Sequence, residues 1–324
     1  MKSYVFGPVP SRRLGRSLGV DLIPFKTCSY DCIYCQLGRT TCQTIERKEW
    51  VPLNDVLRQL QKKLSTKPDY ITLSGSGEPT LYSRIGELIT EIKSMTEVPV
   101  AVLTNGSLFC DPDVRLSLMK ADLVVPSLDA GDEKLFRYVN RPHDSISFDQ
   151  LVEGLLRFRY EYSGQYWLEV FLLGATSPLN KIEKIVEITS RINPDRVQLN
   201  TVTRPPAEEF ATTIPDELMQ HFAEIFGDNA EVIADYRGTH QQKQFAALRR
   251  DVLDLLRRRP CSVDDIAQGL GMHRNEVVKY VTELVEEGNL NYELHSGKLY
   301  YKYNTGKSDS KKIYAKAGKK AGLE

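Results

Sequence analysis

Short apolar runs alternate with longer amphipathic ones through the first 230 residues of the chain. SLGVDLI (17–23), YITLSG (70–75), VAVLTNG (100–106), LVVPSLD (123–129), WLEVFLLG (167–174) and RVQLNTV (196–202) predict strands. Between them, 53–64, 82–95, 112–119, 148–160, 179–191 and 216–226 predict helices; LNKIEKIVEITSRI, for instance, repeats apolar residues along one helical face. Several strands are apolar on consecutive positions, as in a parallel sheet covered on both faces. Six strand–helix units predict an α/β fold, either a doubly wound sheet or a partial barrel, since a full barrel needs eight. Chemistry in such folds gathers at the carboxyl ends of the strands. The cysteine-rich loop after the first strand, GSGEP, TNG, SLD and NTVTRPP all fall there.

The pattern changes near residue 244. FAALRRDVLDLLRRRP reads as a helix stopped by Pro260. SVDDIAQGLG and MHRNEVVKYVTELVEEG follow as a helix–turn–helix pair, with Ser262 as N-cap and Gly271 in the turn. NLNYELHSGKLYYKYN then alternates about a Ser-Gly turn as a β-wing. The expected organisation is a catalytic domain over 1–237, a smaller C-terminal winged-helix domain over 244–303 and a basic, disordered tail over 304–324.

Composition adds exclusions. Lys+Arg and Asp+Glu both total 43 in 324 residues, so net charge points to neither nucleic acid nor membrane. No run of about 18 apolar residues occurs. The opening MKSYVFGPVPSRR lacks the apolar core of a signal peptide. The expected location is cytoplasmic, where clustered cysteines bind metal or catalyse rather than form disulfides.

The stretch KTCSYDCIYCQLGRTTC (26–42) carries four of the six cysteines. Cys28, Cys32 and Cys35 are spaced C-x3-C-x2-C, and Cys42 follows after six residues. Zinc sites usually pair two short knuckles across a longer loop, and Cys35 with Cys42 forms no second knuckle. A four-iron cluster held by three thiolates fits the spacing better, with zinc remaining open.

CSYDCIYC, joined to LSGSGEPTL at 73–81, resembles the signature of the radical S-adenosylmethionine (SAM) superfamily; TNG (104–106) and SLD (127–129) resemble its later strand-end segments. The resemblance covers residues 1 to about 235, and GEPTLY, SLDA and NRPH look closest to the group containing the tRNA wybutosine-synthesising radical enzymes. Unlike that group, the chain has no cysteine before Cys28, and it lacks the flavodoxin domain of the eukaryotic members.

The resemblance implies a partial (β/α)6 barrel in which Cys28, Cys32 and Cys35 ligate a [4Fe-4S] cluster whose open iron takes SAM. Reductive cleavage of SAM would yield a 5′-deoxyadenosyl radical that abstracts hydrogen from substrate. Tyr34, Gly75, Gly77, Glu78, Pro79, Asn105, Ser127 and Asp129 would hold SAM: Tyr34 by the adenine, Glu78 by the ammonium, and Asn105, Ser127 and Asp129 by the ribose and carboxylate. Gly75 and Gly77 would let backbone approach a ligand closely. Cys42 is expected to be a bystander, because a fourth thiolate would keep SAM off the iron.

Substrate-side candidates are Arg12, Arg13, Asn200 and Arg204; Arg12, Arg13 and Arg16 offer forks that match carboxylates or phosphates. Lys26 and Arg39 flank the cysteine loop. In the winged helix, His273, Arg274, Asn275 and Lys279 open the recognition helix, yet residues 245–303 carry nine Lys/Arg and nine Asp/Glu. Residues 304–324 carry six Lys against Asp309 and Glu324, net +4. The expected function is a radical SAM enzyme acting on a macromolecule, an RNA base ahead of a peptide or protein docked on the winged helix. A metal-binding, DNA-reading regulator is the reading from another class. A separate flavodoxin or ferredoxin is the expected electron donor.

Overall fold

The computed structural model describes residues 3–11, 13–174, 176, 179–234, 249–272 and 274–304. Arg12, His273 and the tail beyond 304 lie outside the described residues. The chain divides into two units, Met1–Gln241 and Gln242–Glu324.

In the first unit the strands are β1 (Val5–Ser11), β2 (Gly15–Val20), β3 (Thr27–Cys28), β4 (Cys42–Gln43), β5 (Tyr70–Leu73), β6 (Val100–Thr104), β7 (Leu123–Pro126), β8 (Gln165–Phe171), β9 (Arg196–Asn200) and β10 (Ala230–Val232). The helices are α1 (Leu53–Lys63), α2 (Ile85–Met95), α3 (Pro112–Leu118), α4 (Glu133–Val139), α5 (Phe148–Glu161), α6 (Leu179–Ile192) and α7 (Asp216–Phe226). One sheet runs β1-β2-β5-β6-β7-β8-β9-β10. Only β1 is antiparallel to its neighbour; every pair from β2 to β10 is parallel.

The six predicted strands are β2, β5, β6, β7, β8 and β9, each followed by a predicted helix, in the (β/α)6 arrangement of a partial barrel. Two sheet strands were not anticipated. VFGPVPS (β1) carries a glycine and two prolines and pairs through an irregular register, so it lacks a strand signature. AEV (β10) is too short to show a period.

Interior strands are buried on both faces: LVVP of β7 entirely, and Val100, Ala101 and Val102 of β6. The helices cover them with one apolar stripe each, such as Ile85, Leu88, Ile89 and Ile92 of α2. Each such side chain contributes roughly 1.5–3 kcal/mol on burial. Helix α5 begins at a capping box in which Ser147 and Gln150 satisfy each other's backbone donors.

The second unit contains α8 (Arg249–Leu256), α9 (Val263–Leu270), α10 (Arg274–Glu286) and the antiparallel hairpin β11 (Leu290–His295) and β12 (Lys298–Tyr303). Ser262 caps α9, with Asp265 returning the bond, and Gly271 ends it in the left-handed region at φ +63°. Cys261 pairs with Tyr301 on the side of β12 away from β11. Val252, Ile266, Val277, Val281 and Leu284 are fully buried in this unit. Among the described residues no helix is long and apolar enough to cross a membrane.

Candidate functional site

The cysteine loop leaves β2 and is fastened at both ends. Lys26, in the left-handed region at φ 60°, donates its N–H to the carbonyl of Ser76 at 2.7 Å. Backbone N–H groups of Asp31 and Ile33 donate to the carbonyls of Asn140 and Val139 at the end of α4. The Asp31 carboxylate accepts from Arg39 Nε and Thr40 N, both at 2.7 Å, and so closes the loop on itself. Arg39 and Arg141 both pair with Glu208, which ties the cysteine loop to the segment after β9.

Cys28, Cys32 and Cys35 are half-buried on this loop, whereas Cys42 is exposed on β4 beside Thr27. Burial raises the Cys28 thiol to about 12, with Glu78 adding to it, and pushes Cys32 and Cys35 up as well. Thiols in such surroundings ionise only against a strong local positive charge, which iron supplies. Hydrogen-bond donors already point at the sulfurs. Asn105 Nδ2 lies 3.6 Å from Cys28 Sγ, Asn140 Nδ2 lies 3.6 Å from Cys32 Sγ, and Tyr30 N lies 3.4 Å from Cys28 Sγ. Among the described residues no three His, Cys, Asp or Glu side chains gather closely enough for a single ion. Three thiols on one loop with donors to their sulfurs fit a multi-iron cluster, in which each thiolate takes its own iron.

Gly75 and Gly77 bring GSGEP against this loop. A Cβ on Gly77 would stand 1.7 Å from the Thr27 carbonyl oxygen, and one on Gly75, at φ +134°, would stand 2.9 Å from Asp21 Oδ1. The close approach they permit is to the protein's own backbone and to Asp21. Glu78, 2% exposed, accepts four bonds: Thr80 N at 3.0 Å, Thr80 Oγ1 at 2.6 Å and Thr104 Oγ1 at 2.5 Å on Oε1, and Asn105 N at 2.8 Å on Oε2. Burial still raises its carboxyl above the ordinary value. Pro79 opens the short 3-10 turn that Glu78 caps. Glu78 therefore splices the ends of β5 and β6, and Asn105 carries that splice to Cys28.

Asp129, at the end of β7, is buried and accepts from Tyr34 Oη, from Asn140 Nδ2 at 2.6 Å and from Phe171 N at 2.9 Å. Burial raises it to about 6, against the pull of those three donors. One face of the Tyr34 ring is stacked on Phe171, with centroids 3.9 Å apart. Tyr30, packed edge-on against Phe136, has a buried hydroxyl with no hydrogen-bond partner among the described residues. The charged groups acting on that hydroxyl are Cys32, Asp129, Glu78 and Cys28, and together with the larger effect of burial they raise its phenol well above the usual range. An unsatisfied buried hydroxyl costs about 1–3 kcal/mol.

A cavity of about 280 Å³ lies beside Cys35 and Tyr34, lined by Arg13, Ser127, Glu169, Phe171, Asn200 and Arg204 among others. Its strand-end residues come from the carboxyl ends of β6, β8 and β9 and from the residue just past β7. Of the predicted site residues it collects Tyr34, Cys35, Ser127, Arg13, Asn200 and Arg204; Cys28, Cys32, Gly75, Gly77, Glu78, Pro79, Asn105 and Asp129 lie outside its lining. The Arg13 fork is engaged by Glu169 at 2.9 and 3.0 Å, and Asn200 Nδ2 donates to the same carboxylate at 2.8 Å. Arg204 reaches Gln36 at 3.4 Å.

Glu169, Asn140, Tyr30 and Asp31 were not singled out from sequence. A charge inside the apolar run WLEVFLLG was a signal, since a carboxylate in a covered strand needs a partner. Asn140 opens the quoted NRPH, but nothing local tells that its amide meets a sulfur and a carboxylate.

Residues 22–174 match the model of the Radical SAM superfamily. A UPF0026 protein of Methanocaldococcus jannaschii is 34% identical over 318 residues, covering 95% of this chain and 98% of its own length. One of Helicobacter pylori is 39% identical over 269 residues, covering 81% and 86%. A Brachyspira hyodysenteriae protein named GTPase Obg is 40% identical over 306 residues, 93% of this chain, but the chain spans only 45% of that protein. Among solved structures, SuiB of Streptococcus suis bound to precursor peptide SuiA overlays with a TM-score of 0.52 at 16% identity, covering 65% of this chain and 47% of that one. A radical SAM methyltransferase from Sphaerobacter thermophilus gives 0.52 at 17% identity, covering 68% and 67%. At such identities these two likenesses concern the fold. On the family match and the full-length relatives together, the chain belongs to the radical SAM superfamily and to the UPF0026 protein family.

Proposed function

We propose that this radical SAM enzyme holds its [4Fe-4S] cluster through Cys28, Cys32 and Cys35, and holds SAM in the cavity beside Cys35. A cluster so held would supply the one-electron reduction of a bound SAM sulfonium, the chemistry from which hydrogen abstraction would follow. The observation that carries this reading is that, of three thiols on one loop, Cys28 meets Asn105 and Cys32 meets Asn140, and these two asparagines also bond the carboxylates Glu78 and Asp129.

Within it, Glu78 and Asn105 fix the loop rather than face a ligand. Gly75, Gly77 and Pro79 shape the turn that presses on Thr27. Asp129 sets the Tyr34 ring, and Ser127, Glu169 and Asn200 offer polar atoms to SAM or to the substrate. Arg13, paired with Glu169, and Arg204 both line the cavity and are the candidates for an anionic group. Cys42, exposed on β4, takes no part. The electron comes from an external donor, a flavodoxin or a ferredoxin.

For the substrate we favour a macromolecule held by the C-terminal unit as a winged helix, and, of the two classes expected, an extended peptide over an RNA base. Several cations of that unit are already engaged: Arg249 with Glu283 and Glu287, Arg274 with Asp264, Lys302 with Glu293, and Arg257 with Asp254 and the Tyr303 ring. Among the described residues β11 pairs only with β12, so its other edge can receive a strand, and Leu294 beside it is 73% exposed. Electrophoretic binding of bulk tRNA by the full chain at low salt separates the two. Weak, non-saturating binding is expected; tight binding that falls steeply with salt would restore the RNA base.

A further inference from the structure

We propose that Glu208 is a positioning residue that clasps the segment after β9 onto the cysteine loop and so holds one wall of the cavity against the other; this rests on the reading above that SAM occupies the cavity. The segment is tied at its base. Thr201 Oγ1 donates to the carbonyl of Leu172 at 2.8 Å and accepts from Ile214 N at 3.0 Å, and Gly174 N donates to the carbonyl of Thr212 at 3.1 Å. Val202, Ala211 and Ile214 are buried there, whereas residues 203–210 are not. A surface segment whose two ends bond to each other in this way is an Ω-loop, a form that often carries function.

The first part of this loop, Thr201 to Arg204, lines the cavity, as do Tyr34, Cys35 and Gln36 of the cysteine loop. Glu208 joins the two sides. Its N–H donates to the carbonyl of Ile33 at 2.9 Å, and its Oε1 accepts from Arg39 Nη1 at 3.0 Å and from Arg141 Nη1 at 2.5 Å. Arg141 stands at φ 45°, a left-handed conformation that a residue with a side chain keeps only when its surroundings hold it. Its carbonyl accepts from Asp31 N at 3.1 Å and Gln43 Nε2 at 2.7 Å, so Glu208 grips a residue already fixed to the cysteine loop. The Glu208 and Arg39 side chains are 21% and 59% exposed. Ion pairs with that much water around them are weak and screened by salt, so they hold the loop without locking it.

Amide hydrogen exchange and SAM cleavage, both on the full chain, test the clasp. In the iron-free protein, Glu208→Ala should speed exchange across residues 203–211 about three- to tenfold, as the loss of two such pairs allows, and leave β8 and β9 unchanged. Unchanged exchange in that segment overturns the proposal. After anaerobic reconstitution to equal iron content, the KM of the variant for SAM in 5′-deoxyadenosine formation should rise by a similar factor at unaltered kcat; an unaltered KM overturns the proposal. A wild type that loads iron but forms no 5′-deoxyadenosine rejects the underlying reading instead, and the exchange comparison then decides the clasp by itself. If Glu208→Ala takes up no iron, the loaded wild type carries the second arm. Added SAM should slow exchange across 203–211, and no slowing overturns the proposal.

Discussion

Arg13 and Glu169 form a two-point ion pair, at 2.9 and 3.0 Å, between groups 156 residues apart in sequence. The side chains are only 10% and 16% exposed, so neither charge has water to fall back on. Removing one partner of a buried pair typically costs 3–5 kcal/mol. Arg13→Ala should therefore destabilise the chain by about 3 kcal/mol, read as a lowered urea midpoint at unchanged slope. Arg13→Lys should recover part of that loss, because it restores the charge without the fork.

Gly77 makes a sharper prediction. With a Cβ 1.7 Å from the Thr27 carbonyl, Gly77→Ala must push GSGEP away from the cysteine loop. Overpacking of this kind costs about 1–3 kcal/mol. Iron incorporation measured after reconstitution should fall more than helix content measured by circular dichroism, since the displacement is local to the loop.

Asp129 gives the site a pH dependence whose sign is fixed by its burial. Its folded value of about 6 is above its ordinary 3.8, so the proton is held more tightly in the folded state. The contribution to stability is full below about 3.8 and is lost as pH rises through about 6. Over that window the iron-free chain should lose on the order of 3 kcal/mol from this group. Denaturant melts at pH 4 and pH 7 should show a smaller loss in Asp129→Asn than in the wild type; equal losses in both proteins contradict the assignment.

The four cysteines of the loop should separate cleanly. Cys28→Ala, Cys32→Ala or Cys35→Ala should each abolish stable iron binding. Cys42→Ala should leave iron content unchanged, because Cys42 is exposed and beside Thr27 rather than under the asparagines. Iron loss in Cys42→Ala would return it to the ligand set.

Much of this was legible in the residues. Consecutive apolar positions marked the six covered strands, and helical periodicity marked the helices between them. Position then picked out the strand-end motifs. What stayed hidden depends on long-range geometry. Helix α4 is only seven residues, EKLFRYV, and sits between two polar motifs, so no period stood out. Its end supplies Asn140, whose 3.6 Å contact with Cys32 joins residues 108 apart. Glu78 reads in sequence as a ligand, yet β6 brings Thr104 and Asn105 N to it and encloses it. Arg13 reads as an anion clamp until β8 carries Glu169 opposite it.

The central claim is that Cys28, Cys32 and Cys35 hold a cluster that acts on SAM in this chain. The most direct measurement is anaerobic: reconstitute the full chain with iron and sulfide, add SAM and dithionite, and quantify 5′-deoxyadenosine beside iron content. The account predicts about four irons per chain, consistent with a single [4Fe-4S] cluster, and 5′-deoxyadenosine that disappears in Cys32→Ala but persists in Cys42→Ala. Bound zinc in place of iron, with no 5′-deoxyadenosine from the reconstituted wild type, would contradict it.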